Sequence, residues 1–286
     1  MPTTPAKNLL YRAALPILAP RSRGQMTHHM SGHPLTSLPN YERILAKHHV
    51  FGASLLLQDG ANCALCDTST ANPEHLAQEN TLYRVASITK MATALVTLRC
   101  INNGLFSLDS EAASLLPDGE KDPALSGVTV RHLLCHTSGL RDLPILDDCL
   151  KEGKPYTELL RQPEIRACAP GQQLIYSNFG FGLLGCILEQ QTGLCIEPLF
   201  QEMLFRPLHM RATLDASMLN EAEIMPITRV LPYRAGQELR VTALGRHPLQ
   251  KPNPLCHYGH TAGAMYTDGR RSEERRVGKE CRSRWS

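Results

Sequence analysis

Two short strings hold the residue types that could do covalent chemistry: Ser87-Ile-Thr-Lys90 and, 89 residues further on, Tyr176-Ser-Asn178. A serine hydroxyl is a weak nucleophile near neutral pH and needs a base within hydrogen-bond reach. A lysine three residues later supplies one if the segment is helical, because residues three apart share a helix face. The spacing predicts a helix over 87–102 with Ser87 at its start, where free N–H groups favour developing negative charge. Tyr176 and Asn178, two apart in an extended segment or tight turn, project to the same side. They add a second proton handler and an amide to orient substrate. Ser87 is the only serine followed by lysine at that spacing, and Tyr176 is the only tyrosine in a Y-x-N pattern. Taken singly, each string also fits an N-cap serine beside a solvated lysine, or an unrelated turn tyrosine; the surrounding sequence has to decide.

That context is ordered. Leu82-Tyr-Arg-Val-Ala-Ser-Ile-Thr-Lys90 runs from an extended segment into a helix at the serine, and Asn103-Gly-Leu-Phe-Ser-Leu-Asp109 and Val130-Arg-His-Leu-Leu-Cys-His-Thr-Ser-Gly-Leu140 follow. Ala169-Pro-Gly171 precedes Tyr176-Ser-Asn178, and Gly180-Phe-Gly-Leu-Leu-Gly185, Phe205-Arg-Pro-Leu-His-Met210 and Thr261-Ala-Gly-Ala-Met-Tyr-Thr267 come after. In this order, over roughly 41–270, the strings resemble the serine beta-lactamase-related family of class C beta-lactamases, D-alanyl-D-alanine carboxypeptidases, D-aminopeptidases and esterases. The resemblance implies a beta-lactamase/transpeptidase-like α+β fold: a mostly antiparallel sheet flanked by helices, plus a helical lobe, with the site between them. It also implies a serine hydrolase that forms an acyl-enzyme on amide or ester substrates of small-molecule or peptide type. Ser87 is then the nucleophile, and Lys90, kept partly neutral by burial, takes or relays its proton. Tyr176 serves the leaving group, and Asn178 binds the substrate amide or Lys90. A general esterase or D,D-peptidase ranks above a true beta-lactamase. The alternative is a penicillin-binding-type sensor or non-catalytic scaffold of the same fold.

The family's third element, a Lys-Thr-Gly or His-x-Gly string on an edge strand, does not occur downstream of Ala262-Gly-Ala264. The expectation is therefore an incomplete domain over 40–270 that lacks its C-terminal strands and is inactive as it stands. Residues 271–286 continue no family pattern and resemble the in-frame translation of a sequencing adapter. That tail carries six basic and three acidic residues, which leaves 24 of each sign elsewhere, so the formal +3 belongs to the tail. The remainder gives no electrostatic case for nucleic acid or an anionic membrane. Residues 1–39, rich in Pro, Ser, His and Gly, read as a mostly disordered leader, or as a misassigned start with Met26 or Met30 the true one, because Arg12, Arg21 and Arg23 spoil a signal peptide.

No run approaches the ~18 apolar residues of a membrane-spanning helix. Nine cysteines outside the tail form no disulfide framework, which favours a reducing, cytoplasmic setting. Cys63-Ala-Leu-Cys66 lacks a second ligand pair at zinc spacing, and the twelve histidines are scattered, so neither metal nor cofactor is expected. Gly180-Phe-Gly182-Leu-Leu-Gly185 matches a dinucleotide fingerprint, but a helix rather than a βαβ unit follows, so its glycines are assigned to close helix packing. Thr137-Ser138-Gly139 is assigned to the turn that ends a helix starting near Thr129. Further expected elements are a helix near 40–49, a hairpin of strands near 50–57 and 61–67 joined at Asp59-Gly60, and helices near 178–191 and 196–205. The sequence does not indicate an oligomeric state.

Overall fold

A computed structural model describes residues 27–32, 44–45, 52–59, 62–69, 80–117, 122–225, 227–229, 237–239, 249, 251–253 and 255–268. The chain divides into two compact units, one of 1–83, 220–241 and 268–286 and the other of 84–219 and 242–267. Together they give the α+β class expected.

The first unit is built on a three-stranded antiparallel sheet of β1 (Thr27–Gly32), β2 (Gly52–Asp59) and β3 (Asn62–Ser69), in the order β1-β3-β2. Asp59 pairs with Asn62, so only Gly60 and Ala61 separate the strands, as the turn chemistry required. Cys66 lies on β3 and is buried. β1 falls within the stretch read as a disordered leader, and it pairs with β3 from Thr27↔Ser69 to Gly32↔Ala64. A backbone ladder needs no apolar pattern, so this polar segment carried no strand signal. The rest of 1–39 lies outside the described residues, as does 271–286. Of the helix expected near 40–49, Ile44 and Leu45 are helical and the remainder is outside the described residues.

The second unit is helical: α1 (Thr89–Asn102), α2 (Ala112–Leu115), α3 (Val130–Leu134), α4 (Leu146–Glu152), α5 (Thr157–Leu160), α6 (Asn178–Thr192), α7 (Ile196–Phe200) and α8 (His260–Gly263). Its centre is α6. Every residue from Phe179 to Glu189 is buried, and a helix apolar all round belongs in a core. Ser177 caps its start by accepting from the Gly180 N–H at 2.9 Å, and Gly193 ends it in a left-handed conformation, φ +69°. The expected helix over 196–205 changes character midway: α7 passes into a wider π-turn at Gln201–Phe205. No single helix among the described residues is long and apolar enough to cross a membrane.

The glycines of the false dinucleotide fingerprint sit inside α6, where they let the 258–263 segment approach. A Cβ at Gly182 would overlap the Tyr258 carbonyl, and one at Gly185 would lie 2.5 Å from Thr261 Oγ1. α1 meets the same segment with three buried threonines one turn apart. Thr93 Oγ1 donates to the Thr261 carbonyl at 2.7 Å, Thr89 Oγ1 accepts from the Met265 N–H at 3.1 Å, and Thr97 Oγ1 donates back to the Thr93 carbonyl. Thr93 and Thr89 thus bond the Thr261 carbonyl and the Met265 N–H, buried backbone groups in and just after α8.

Gly182→Ala should therefore destabilise by about 1–3 kcal/mol or more through overpacking. Gly193→Ala, with open space around it, should cost only the ~1–2 kcal/mol of a left-handed alanine. Thermal melts of the two variants check this; an equal loss would mean that the close packing at Gly182 is not needed.

Candidate active site

The chain enters the site along the extended pair Tyr83–Arg84 and is pinned where the Val85 N–H donates to the Met265 carbonyl at 3.0 Å. Ala86 then takes a left-handed conformation, φ +45°, which an alanine adopts only under strain. This kink turns the chain into a 3₁₀ turn at Ala86–Ile88 that runs directly into α1 and sets Ser87 exposed at its start.

Tyr176 and Asn178 arrive from the other side. α3 is closed at its start by a reciprocal cap: Thr129 Oγ1 accepts from the His132 N–H, and His132 Nδ1 accepts from the Thr129 N–H. After α3 the chain reverses through His136 (φ +57°) and Gly139 (φ +77°), where a Cβ would run into the Cys168 carbonyl. This turn, which contains the buried Ser138, then pairs with the 167–175 segment through Ala167 N–H to Gly139 O, 2.9 Å, and Ile175 N–H to His136 O, 2.7 Å. Tyr176 follows directly, and Asn178 opens α6.

All four residues singled out from the sequence converge. Ser87 Oγ lies 2.7 Å from Tyr176 Oη, and the Lys90 amine lies 3.4 Å from Ser87 Oγ. Lys90 is 7% exposed and donates to Asn178 Oδ1 at 2.8 Å and to the Ala262 carbonyl at 2.7 Å. Its nitrogen sits 4.8 Å from the centre of the Tyr176 ring. Burial pushes the Tyr176 phenol up, but the neighbouring Lys90 ammonium and the hydrogen bond with Ser87 outweigh it, so its pKa falls below the ordinary phenol value. The cleft beside Ser87 encloses about 190 Å³ and is lined in part by Arg84, Asp147, Asn178, Tyr258 and Gly259.

Three participants carried no sequence signal as site residues. The Ala262 carbonyl is backbone. Asp142 approaches Asn178 from the loop after α3. The His136 ring packs 4.5 Å from that of Tyr176, and its Nδ1 accepts from the Ser177 N–H at 3.2 Å.

A second polar cluster holds Leu249, Asn253 and His257. Glu189 Oε1 accepts from the Ile196 N–H at 2.9 Å and faces His257 Nδ1 at 2.6 Å, and Oε2 accepts from the Asn253 N–H at 2.8 Å. With Cys195, these side chains place potential metal-ligand atoms within 4.8 Å of one another. However, the carboxylate is already engaged by three donors, and Cys195 Sγ donates to the Leu249 carbonyl at 3.0 Å. The geometry is that of a hydrogen-bonded clasp. The eight cysteines whose side chains are described are free, and burial pushes the thiols of Cys100 and Cys195 up to about 11 and about 12.

Comparison with known proteins identifies the family. The beta-lactamase family model matches residues 40–264, and the chain belongs to that family. It is 32% identical over 157 residues to a monacolin J acid methylbutanoyltransferase of Aspergillus terreus, covering 46% of this chain and 37% of that protein. It is 30% identical over 146 residues to the D-alanyl-D-alanine-carboxypeptidase/endopeptidase AmpH of Escherichia coli (48% and 37%). The chain thus spans well under half the length of these curated relatives. A class C beta-lactamase structure superposes with a TM-score of 0.64 at 22% identity, covering 83% of this chain and 61% of the other. A D-alanine carboxypeptidase from Burkholderia cenocepacia gives 0.64 at 19% (82% and 60%). At these identities the structures establish the fold.

Burial and the neighbouring Lys90 charge hold the His136 pKa below its ordinary value, against an opposing pull from Asp142. A group depressed on folding contributes stability that is complete above its unfolded pKa, near 6.5, and is lost as pH falls through the folded value. Urea unfolding at pH 8 and pH 5 should show that loss. His136→Asn, which keeps an acceptor and tolerates the left-handed backbone, should lessen it.

Proposed function

We propose that this protein is a serine hydrolase that forms an acyl-enzyme at Ser87 on small-molecule or peptide esters and amides. The observation that carries this reading is the 2.7 Å contact between Ser87 Oγ and Tyr176 Oη, with the Lys90 amine beside both. An ammonium at Lys90 has three N–H bonds, and three acceptors stand around it: Asn178 Oδ1, the Ala262 carbonyl and Ser87 Oγ. In that state Lys90 has no lone pair to offer, so Tyr176, as phenolate, takes the Ser87 proton while Lys90 stabilises the charge. This reverses the weight the sequence alone placed on lysine as the base. The protonated tyrosine then returns its proton to the leaving group, and the Ser87 N–H supplies one donor to the oxyanion.

The family membership supports acyl chemistry on a serine, and relatives named as a carboxypeptidase and an acyltransferase bracket the fates of the acyl group. Water as acceptor gives hydrolysis, and a second hydroxyl gives transfer. We favour hydrolysis, of ester or D,D-peptide type ahead of beta-lactams.

An alkyl fluorophosphonate, mapped by peptide mass spectrometry, should label Ser87 alone, and Ser87→Ala should take no label. Tyr176→Phe should slow labelling by roughly 10²–10⁴, the usual contribution of a positioned proton acceptor. Because the active form is deprotonated, the wild-type rate should rise with pH, with its midpoint below that of a free phenol, and lose that limb in Tyr176→Phe. Label on another serine, or a pH-independent wild-type rate, would contradict the assignment.

A further inference from the structure

We propose that Asp142 is a positioning residue for the chemistry at Ser87: its carboxylate dictates which end of the Asn178 side-chain amide faces Lys90. The proposal rests on the acyl-enzyme reading above for its kinetic consequence, though not for its geometry.

Asp142 Oδ2 accepts from Asn178 Nδ2 at 2.7 Å and from the Asn178 backbone N–H at 3.1 Å. Oδ1 accepts from the Phe179 N–H at 2.9 Å and from Ser177 Oγ at 3.2 Å. The carboxylate is thus seated on the open first turn of α6, a 15-residue helix, and held by four donors. An asparagine amide has two ends of nearly equal shape, and only its partners decide which way it points. An ionised carboxylate can only accept, so Asn178 must turn its NH2 group to Asp142. Its carbonyl oxygen is then left for Lys90, at 2.8 Å. Reversed, the amide would set N–H donors against an ammonium, and the buried amine would lose one of its three acceptors. One amide N–H of Asn178 stays uncommitted among the described residues and is available to a substrate carbonyl in the cleft that Asn178 lines. Asp142 bonds Ser177, Asn178 and Phe179, not Ser87 or Lys90, and acts through Asn178.

The test uses the full chain and Asp142→Asn, which keeps the size of the side chain but offers an NH2 group as well as an oxygen. The rate of Ser87 labelling by an alkyl fluorophosphonate should fall roughly ten- to hundredfold, the scale of one hydrogen bond to a charged group. In an Asn178→Ala background the same change should cause little further loss, because the path runs through that amide. The pH profile adds a readout that a purely structural residue would not move. The charged and titratable groups around Tyr176 are Lys90, His136 and Asp142, and the Asp142 charge opposes loss of the phenol proton, so its removal should shift the alkaline limb to lower pH. Asp142→Glu should recover part of the rate, and it replaces Asp142→Asn in the test if that variant does not fold. Wild-type labelling and an unmoved limb in a folded variant would overturn the proposal, as would full additivity with Asn178→Ala. If the wild type does not label at Ser87, the acyl-enzyme reading is what fails. The geometry is then judged from the Asn178 side-chain NH2 resonances, which should move in Asp142→Asn; unchanged shifts would overturn the positioning role.

Discussion

A buried amine cannot be left without acceptors, and Lys90 meets this constraint with groups drawn from three parts of the chain. Its partners stand 88 and 172 residues away, at Asn178 and Ala262, with Ser87 three residues back in the 3₁₀ turn that runs into the same helix. The desolvation cost of an unpaired buried cation is several kcal/mol, so these contacts constrain the fold as much as they serve the chemistry. For the amine to be satisfied, α1 must lie against the start of α6, and the 258–265 segment must close over both. The glycines of α6 and the threonines of α1 allow that closure by removing bulk on one side and supplying hydrogen bonds on the other.

The site is arranged as a chain of acceptors and donors with little freedom. Asp142 is held by the first turn of α6 and holds Asn178, which holds Lys90. Lys90 lies beside Tyr176, which in turn holds the Ser87 hydroxyl. Each link is made by an element with its own local reason to be there: a reciprocal cap on α3, a left-handed reversal after it, and a serine cap on α6. The strain sits at Ala86, one residue before the nucleophile, where a conformation usually left to glycine is held by Val85 bonding to Met265 on one side and α1 on the other.

What could be read from the sequence follows from locality. Ser87 and Lys90 are three apart across the start of a helix, and Tyr176 and Asn178 are two apart at a helix entrance, so each pair was visible as a spacing. The β2–β3 hairpin announced itself through Asp59-Gly60. The meeting of the two pairs was implied only by the resemblance, because nothing local links positions 87 and 176. Asp142 was invisible because an acidic residue in a polar loop has no distinguishing pattern. Ala262 contributes through its backbone, which has no side-chain signature at all. The strain at Ala86 has no sequence signature, since an alanine before a helix carries no mark of a left-handed backbone. β1 was missed because its pairing is made by main chain alone, and the π-turn at Gln201–Phe205 because its periodicity is too short to separate from α.

The Glu189 clasp has a consequence away from its own surroundings. Its carboxylate fastens the loop that leads into Tyr258 and Ala262, and so sets where the last acceptor of Lys90 comes to rest. Releasing that fastening would let the segment drift from the amine while Ser87, Lys90 and Tyr176 all remained in the sequence. A screen for inactive variants would therefore return position 189 alongside the nucleophile, and a reader counting only chemical groups would mistake a fastening for a reactant.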